Sequence, residues 1–244
     1  MRANRAGSGA TPAVRRSLRV AGRLAAVIGD GAAAVAAGAD RVRRWCDDGS
    51  GLDAAGEQPV QSRSHGPGPG RVLVLGGARS GKSLTAERFL ARYGEVEYVA
   101  TGAPPDAADE EWAARVTEHQ RRRPPHWRTE ESLDLEQVLK ADDRVPVLID
   151  CLTLWLARVM DECDAWTPGD GGRRLTARVD GLLRAWQATT RHVIAVSNEV
   201  GCGVVPATAS GRLFRDELGR LNALIAGDSD EVWFCTAGLP RRLR

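Results

Sequence analysis

The sequence predicts an α/β fold in which a mostly parallel β-sheet is flanked by helices. Three observations support it: five short apolar runs, helical patterns between most of them, and a Gly-rich turn after the first run. The runs lie at 71–75, 96–101, 145–150, 192–197 and 231–236. Runs buried on both faces that alternate with helices are typical of parallel sheets, so we expect helices on both sides. Ligands of such sheets bind at the carboxyl ends of the strands.

The elements follow from their apolar patterns, in chain order. The first strand, 71–75, is the run Arg-Val-Leu-Val-Leu, and the helix at 84–93 follows the Gly-rich turn with apolar residues at helical spacing. The helix at 177–191 has an apolar side formed by Val179, Leu182, Leu183 and Trp186. The helix at 212–226 has the same spacing at Phe214, Leu218, Leu221 and Ile225.

Residues 1–70 differ in composition from the rest of the chain. They are rich in Ala, Gly and Arg, contain Trp45 as their one aromatic residue, and end in the turn-forming run Gly-Pro-Gly-Pro-Gly at 66–70. Apart from a weak helical pattern near 14–28, they have too little apolar surface to offset the entropy cost of folding. We therefore expect 1–70 to be a low-complexity, disordered extension and 71–244 to be the folded domain. An organelle transit peptide and an over-extended start both fit the Arg-rich extension.

The composition limits the types of protein to which this chain can belong. The 244 residues are 43% hydrophobic, which is enough for one sizeable core. The sequence contains no run of 18 apolar residues, so we expect no membrane span. The domain 71–244 contains 24 basic and 26 acidic residues, so it is not a basic nucleic-acid binder. The cysteines are far apart and odd in number, which favours reduced thiols and a cytoplasmic location over a disulfide framework. They are Cys46, Cys151, Cys163, Cys202 and Cys235.

The most specific motif is the Gly-rich loop between the first strand and the first helix. It fits the pattern G-x-x-x-x-G-K-[ST] and consists of Gly76, Gly77, Ala78, Arg79, Ser80, Gly81, Lys82 and Ser83. The glycines allow successive N–H groups to surround a phosphate, and the following helix directs its positive end at the same group. Lys82 brings a cation to the outer phosphates, and Ser83 is a ligand for Mg²⁺. The sequence therefore predicts a nucleotide site with Lys82 as a catalytic residue.

Polar residues follow two of the strands. Asp150 ends the run 145–150, where a carboxylate in this class of fold orients Mg²⁺ or its water shell near Ser83. The alternative for Asp150 is an ordinary strand-end acid that caps the next helix. Asn198 and Glu199 follow the run 192–197 in the same way, and their alternative is a tight turn with solvated side chains.

The segment 115–131 concentrates two of the four histidines among many arginines. An imidazole acts as a nucleophile towards phosphorus and forms a phosphoramidate whose P–N bond transfers readily, while arginines balance phosphate charge. The alternative is a solvated face with surface histidines. For His126, beside Trp127, we favour this alternative.

The combined pattern resembles the bifunctional adenosylcobinamide kinase / adenosylcobinamide-phosphate guanylyltransferase family of cobalamin biosynthesis. The elements that carry the resemblance are the loop 76–83, Tyr-Val-Ala-Thr at 98–101, the stretch 119–131, Asp-Cys-Leu-Thr at 150–153, Asn-Glu-Val-Gly at 198–201 and the segment 214–222. The resemblance implies a P-loop NTPase type of fold and two activities. The first is phosphorylation of adenosylcobinamide by a nucleoside triphosphate. The second is transfer of GMP from GTP to adenosylcobinamide phosphate through a GMP–histidine intermediate, which gives adenosylcobinamide-GDP.

The resemblance also implies roles for individual residues. Matching the family's H-x-x-x-R-P element places the nucleophile at His119. Besides the loop Gly76 to Ser83, the implied nucleotide contacts are Thr101, Gly102, Ala103, Gln120, Arg121, Arg122, Arg123, Glu131 and Asp150. The implied metal is Mg²⁺, held by Ser83 and Asp150, and GTP and ATP are the implied substrates. Adenosylcobinamide and its phosphate are the implied partners, and the implied assembly is a homo-oligomer.

Three positions depart from the family pattern. Glu118 stands where some members have a second histidine, Arg158 stands where Asn is frequent, and the stretch 102–111 is longer than in some relatives. Two other functions fit the phosphate loop alone: a single-activity small-metabolite kinase, which needs no covalent histidine, and a non-catalytic nucleotide-binding switch. The charge balance of 71–244 disfavours a nucleic-acid ATPase.

Overall fold

The computed structural model describes residues 68–105 and 109–244. The strands are β1 Arg71–Gly76, β2 Glu97–Ala100, β3 Arg128–Glu131, β4 Val147–Asp150, β5 Val193–Asn198, β6 Glu231–Thr236 and β7 Leu239–Arg242. The helices are α1 Lys82–Leu90, α2 Glu110–Arg122, α3 Leu135–Lys140, α4 Leu152–Glu162, α5 Gly171–Ala188 and α6 Ala209–Gly227. The helical pattern near 14–28 and the expected disordered extension, apart from residues 68–70, lie outside the described residues.

The seven strands form one sheet in the order β3-β2-β4-β5-β1-β6-β7. All neighbouring strands are parallel except β6 and β7, which pair antiparallel at one edge. Gly76 at the end of β1 lies opposite Asn198 of β5, and Asp150 at the end of β4 lies opposite Ala100 of β2. The carboxyl ends of the central strands therefore share one edge of the sheet. The predicted fold class is confirmed.

The central strands are buried on both faces. In β1, Val72 and Val74 belong to one hydrophobic cluster, whereas Leu73 and Leu75 belong to a second. The first cluster includes residues of α1, and the second includes residues of α4, α5 and α6. Burial of one such aliphatic side chain stabilises the fold by about 1.5–3 kcal/mol, so the strand ends are held in place by a large apolar core.

Every predicted strand is present, with bounds that differ from the predicted ones by at most two residues. The three predicted helices are present as α1, α5 and α6, and each begins earlier than its apolar pattern. The first turns contain small or polar residues, such as Lys82 and Ser83 in α1 and Gly171 and Gly172 in α5. An apolar pattern does not mark such turns.

The sequence patterns do not predict α2, α3, α4, β3 or β7. Both β3 and β7 are edge strands whose residues are all exposed, so they contain no apolar run. Helix α4 is buried over most of its length, and a short, nearly continuous apolar run does not distinguish a helix from a strand.

The cysteines in the described residues are unpaired; Cys151, Cys163 and Cys235 are buried and Cys202 is exposed. None of the helices in this part of the chain combines the length and apolar character that a membrane crossing requires.

Candidate active site

The phosphate-loop motif connects β1 to α1 at the carboxyl edge of the sheet. Gly81 has a left-handed φ of 86°, and a Cβ there would lie 3.0 Å from the Cα of Gly238. At Gly76 a Cβ would lie 2.7 Å from the carbonyl oxygen of Cys235. Both positions therefore require glycine. No side chain of the described residues caps the first turn of α1, which leaves its N–H groups for an anion.

Lys82 is the cation of this loop. Its Nζ donates a hydrogen bond to the carbonyl oxygen of Gly77 at 3.0 Å and forms no ion pair with a carboxylate of the described residues. Burial lowers the pKa of Lys82 from its ordinary value, and the nearby charges of Cys151 and Asp150 oppose that shift. Lys82 therefore keeps donor capacity for a phosphate.

Asp150 is the centre of the site, with a carboxylate that is 9% exposed. Tyr98 Oη donates to Oδ2 at 2.5 Å, His119 Nδ1 lies 3.1 Å from the same oxygen, and Ser83 Oγ donates to Oδ1 at 3.3 Å. Burial favours the neutral acid. The hydrogen bond and charge of His119, together with the hydrogen bond of Tyr98, outweigh burial and hold the pKa of Asp150 below its ordinary value. The carboxylate therefore joins the phosphate loop to His119 as an anion.

The donors around Ser83 and Asp150 fit Mg²⁺. Their oxygens Oγ and Oδ1 are hard ligands that lie 3.3 Å apart. Within 68–105 and 109–244, no group of three or more His, Cys, Asp or Glu side chains could hold a metal ion. A Mg²⁺ ion here would therefore take its other ligands from nucleotide phosphates and water, as is usual for this metal.

Helix α2 carries His119 and is only partly covered by the rest of the domain, since none of its residues is buried. Arg122 Nη2 pairs with Glu87 Oε1 of α1 at 3.3 Å. The guanidinium of Arg123, just after α2, lies 3.6 Å from the centroid of the Tyr98 ring. Burial raises the pKa of Glu87, and Arg122 opposes that shift. The last turn of α2 is thus tied to both α1 and β2.

The predicted site residues fall into two groups. The loop, Asp150 and His119 lie together, through the contacts of the Asp150 carboxylate. Gln120 and Arg121 are exposed on α2, where Arg121 pairs with Glu118 at 3.0 Å. Glu131 is exposed at the end of the edge strand β3. His126 is exposed as well, which agrees with the surface alternative.

The segment after β2 is held by side chains of α4 and α2. Arg158 Nη1 donates to the carbonyl oxygens of Thr101 at 3.2 Å and Gly102 at 3.0 Å. Trp112 Nε1 donates to the carbonyl oxygen of Ala103 at 2.9 Å, and a Cβ at Gly102 would lie 2.7 Å from the Trp112 ring. Arg158, which departs from the family pattern, therefore anchors a segment predicted to contact nucleotide.

The two strand-end alternatives have different outcomes. The N-cap of α4 is Cys151, with no side-chain cap, so Asp150 does not act as the cap of the next helix. The carboxylate of Glu199 accepts a hydrogen bond from the N–H of Gly201, and Asn198 bonds through its backbone. Glu199 therefore takes part in a turn with Gly201, whereas Asn198 ends β5, and both residues are half-buried.

Four residues at the site have no role predicted from the sequence, namely Glu87, Tyr98, Trp112 and Arg158. Glu87 carries a usable signal, because it is an acid between the buried Ala86 and Leu90 of α1. A buried acid at such a position needs a partner. The contacts of the other three depend on how distant elements pack, which no local pattern reveals.

Comparisons with known proteins identify the family of this chain. Residues 72–243 match the protein family described as cobinamide kinase / cobinamide phosphate guanyltransferase. Bifunctional adenosylcobalamin biosynthesis protein CobP from Pseudomonas aeruginosa is 43% identical over 178 residues, which cover 71% of this chain and 97% of that protein. Bifunctional adenosylcobalamin biosynthesis protein CobU from Escherichia coli K12 is 35% identical over 182 residues, 71% of this chain and 99% of that protein.

Among solved structures, an ATPase from the type III secretion system of pathogenic bacteria aligns with a TM-score of 0.44 and 12% identity, over 71% of this chain and 58% of its own. The family match alone spans well over half of the present sequence. The motif-based resemblance is confirmed, and the chain belongs to the cobinamide kinase / cobinamide phosphate guanyltransferase family.

Proposed function

We propose that this chain phosphorylates adenosylcobinamide and then transfers GMP from GTP to adenosylcobinamide phosphate, giving adenosylcobinamide-GDP and pyrophosphate. Family membership and two relatives named as bifunctional support both activities. The observation that carries the proposal is the Asp150 carboxylate, which contacts Ser83 of the phosphate loop through one oxygen and His119 through the other. One nucleotide site thereby has the groups that both reactions need.

The kinase step uses the phosphate loop. Backbone N–H groups of Gly76 to Ser83 bind the phosphates, and Lys82 stabilises charge that develops on the transferred γ-phosphoryl group. Mg²⁺ held by Ser83 and Asp150 neutralises phosphate charge when bound. ATP or GTP supplies the phosphoryl group, and the acceptor is the substrate's hydroxyl. This reaction needs no imidazole.

The guanylyl step uses His119. Its Nδ1 faces Asp150, which leaves Nε2 to attack the α-phosphorus of GTP. The new P–N bond forms as the bond to the leaving pyrophosphate breaks. A phosphate oxygen of adenosylcobinamide phosphate then attacks the same phosphorus, the P–N bond breaks, and the imidazole is restored. Asp150 orients the ring and stabilises its positive charge.

The arginines near His119 require an exchange of partners to hold phosphates. Arg122 would leave Glu87, and Arg123 would give up its hydrogen bond to Thr129 Oγ1 at 3.0 Å. Arg121, paired with Glu118 on the exposed side of α2, would turn towards the nucleotide. We also propose nucleotide contacts at Thr101, Gly102, Ala103, Gln120 and Glu131.

The decisive experiment is incubation with α-labelled GTP, comparing His119→Ala with His126→Ala. We expect His119→Ala to lose the covalent GMP label and guanylyl transfer, and to keep much of its kinase activity. His126→Ala, an exposed control, keeps the label. The adduct of the wild type should be acid-labile and comparatively stable in base, as a P–N bond requires.

Each other outcome supports a rival function or nucleophile. Label retained by His119→Ala and lost by His126→Ala moves the nucleophile to His126. A wild type that phosphorylates adenosylcobinamide without labelling is a single-activity kinase. Nucleotide binding with slow turnover that does not depend on cobinamide indicates a nucleotide-binding switch.

The setting of the enzyme belongs to the same proposal. Unpaired thiols throughout the described residues support a reducing, cytoplasmic compartment. A homo-oligomer is proposed from the resemblance to the family, and light scattering tests it. Neither nucleic acid nor a membrane is a partner in this proposal.

A further inference from the structure

We infer that Tyr98 is a positioning residue that couples the two halves of the site, the phosphate loop and His119. Its hydroxyl fixes the Asp150 carboxylate, and its ring fixes Arg123 at the end of α2. The inference rests on the proposed function and assigns to β2 a part in both reactions.

The hydroxyl of Tyr98 is buried and therefore needs a hydrogen-bond acceptor. The residue is 2% exposed and its ring belongs to the apolar cluster under α1, a position that Phe would fill equally well. A buried hydroxyl without a partner is unfavourable, so its presence calls for an acceptor. That acceptor is Asp150 Oδ2 at 2.5 Å.

The donation determines which way the carboxylate of Asp150 faces. Tyr98 and His119 share Oδ2, whereas Ser83 bonds to Oδ1. Without the phenol, the carboxylate keeps only its longer contacts with Ser83 and His119 and rotates more easily away from this division between the loop and the histidine. A charge-assisted hydrogen bond of this kind is strong enough to hold one rotamer.

The ring of Tyr98 acts on the other half of the site. The Arg123 guanidinium lies 3.6 Å from its centroid, within the range of a cation–π contact. Arg123 is the C-cap of α2, and His119 lies one turn earlier on that helix. The ring therefore sets where the last turn of α2 meets the sheet, and with it the position of the imidazole.

Two substitutions separate these roles, and the second tyrosine supplies the control. Tyr98→Phe removes the hydroxyl and keeps the ring, and Tyr98→Leu removes both. Tyr93→Phe removes a hydroxyl that contacts Arg92 at 3.3 Å, on a ring packed against His192 at the opposite edge of the sheet. Both kinase turnover and the rate of GMP labelling are measured, each with kcat and KM.

We expect Tyr98→Phe to lower kcat of both reactions by about 10- to 100-fold, with a smaller change in KM for GTP, because the hydroxyl acts through Asp150. Tyr98→Leu should lower GMP labelling further than kinase turnover. Tyr93→Phe should match the wild type. A double-mutant cycle with Asp150→Asn should be strongly non-additive, with Tyr98→Phe adding less than about threefold in that background.

Wild-type kcat in Tyr98→Phe, an equal loss in Tyr93→Phe, or additive effects in the cycle would each overturn the inference. A purely structural role would lower the melting temperature and leave kcat unchanged below it, which is also an overturning result. The double-mutant cycle is measured through kinase kcat, which requires no GMP label. A wild type that never labels therefore defeats the guanylyl step of the proposed function, while kinase kcat in the same variants still decides the role of Tyr98.

Discussion

Each end of the sheet holds a buried or half-buried cation, and the protein treats the two in opposite ways. At the amino end, Arg191 has a side chain that is 1% exposed. It donates to the carbonyl oxygens of Val138 at 2.9 Å and Val145 at 2.8 Å, and to the carboxylate of Glu97 at 2.5 Å. At the carboxyl end, Lys82 donates to the carbonyl of Gly77 at 3.0 Å.

The comparison shows how a structural cation differs from one held ready for a ligand. The guanidinium of Arg191 directs its donors at the protein, since a planar fork suits several fixed acceptors at once. The ammonium of Lys82 has three donors and lies on a Gly-rich loop that a phosphate can approach. Burial alone does not separate the two cases. The number of satisfied donors does.

The largest effect is expected from Arg191→Met, which leaves the mostly buried Glu97 without its cation. We expect the free energy of unfolding to fall by about 3–5 kcal/mol, as for other broken buried pairs. GTP affinity below the melting transition should stay near that of the wild type. Urea unfolding followed by fluorescence measures the first quantity, and calorimetry the second.

Arg128→Met is the matched control, because Arg128 forms an exposed pair with Asp143 at 2.9 Å. It should cost less than about 1 kcal/mol. Equal losses in the two variants would mean that burial and donor satisfaction at Arg191 are irrelevant, and the comparison between the two cations would fail.

In contrast to Arg191→Met, Lys82→Ala is expected to lower activity and to leave stability nearly unchanged. Both proposed activities should fall by on the order of 100-fold or more, because the cation nearest the outer phosphates is lost. The melting temperature without nucleotide should change little, since Lys82 bonds to a single carbonyl. Wild-type rates in this variant would show that the phosphate loop takes no part in the two reactions. A large loss of stability would show that Lys82, like Arg191, has a structural role.

The sequence was sufficient for features that depend on local pattern. The loop 76–83 and the central strands follow from residue types at fixed spacing, and Asp150 follows from its place at a strand end. Contacts across the sheet are different. Tyr98 and Asp150 are 52 positions apart, and their hydrogen bond depends on the register of β2 against β4, which no local pattern specifies.

The arginines near His119 show the same limit. Their sequence predicts a phosphate-binding cluster, yet the structure pairs Arg122 with Glu87 and stacks Arg123 on Tyr98. The side-chain partners depend on how α2 lies on α1 and β2. The half-buried residues of α2 are Trp112, Ala113, Val116 and His119, which mark the face that it turns to the rest of the domain but do not specify the partners of the arginines.

A smaller effect is expected at His192, at the same end of the sheet as Arg191. Burial lowers the pKa of His192 below its ordinary value of 6.5, with a hydrogen bond to Gly70 and the charge of Glu231 opposing, and that of Arg92 reinforcing, the shift. As pH falls below about 6.5, the unfolded chain takes up a proton before the folded chain does. Stability is therefore full above that pH and declines as pH falls towards the folded pKa.

His192→Asn should remove this decline from the pH dependence of the melting temperature below about pH 6.5. His126→Asn, at an exposed position, should leave the decline intact. If both variants follow the wild-type curve, another group titrates in this pH range, and His192 does not cause the loss of stability at low pH.

The smallest effect is expected from deletion of residues 1–67, because both ends of the sheet lie in the part of the chain that the structure describes. The family match begins at residue 72, and the two relatives align over 97% and 99% of their own lengths with 71% of this chain. GTP affinity, GMP labelling and the melting temperature should therefore match those of the full chain. Deletion of 1–70 is the contrasting variant, because the carbonyl oxygen of Gly70 accepts hydrogen bonds from Val193 N at 2.9 Å and from His192 Nδ1 at 2.8 Å. Losing both bonds should lower stability by about 1–3 kcal/mol while leaving GMP labelling at the other edge unchanged. Loss of labelling in the shorter deletion would show that residues 1–67 contribute to the site itself.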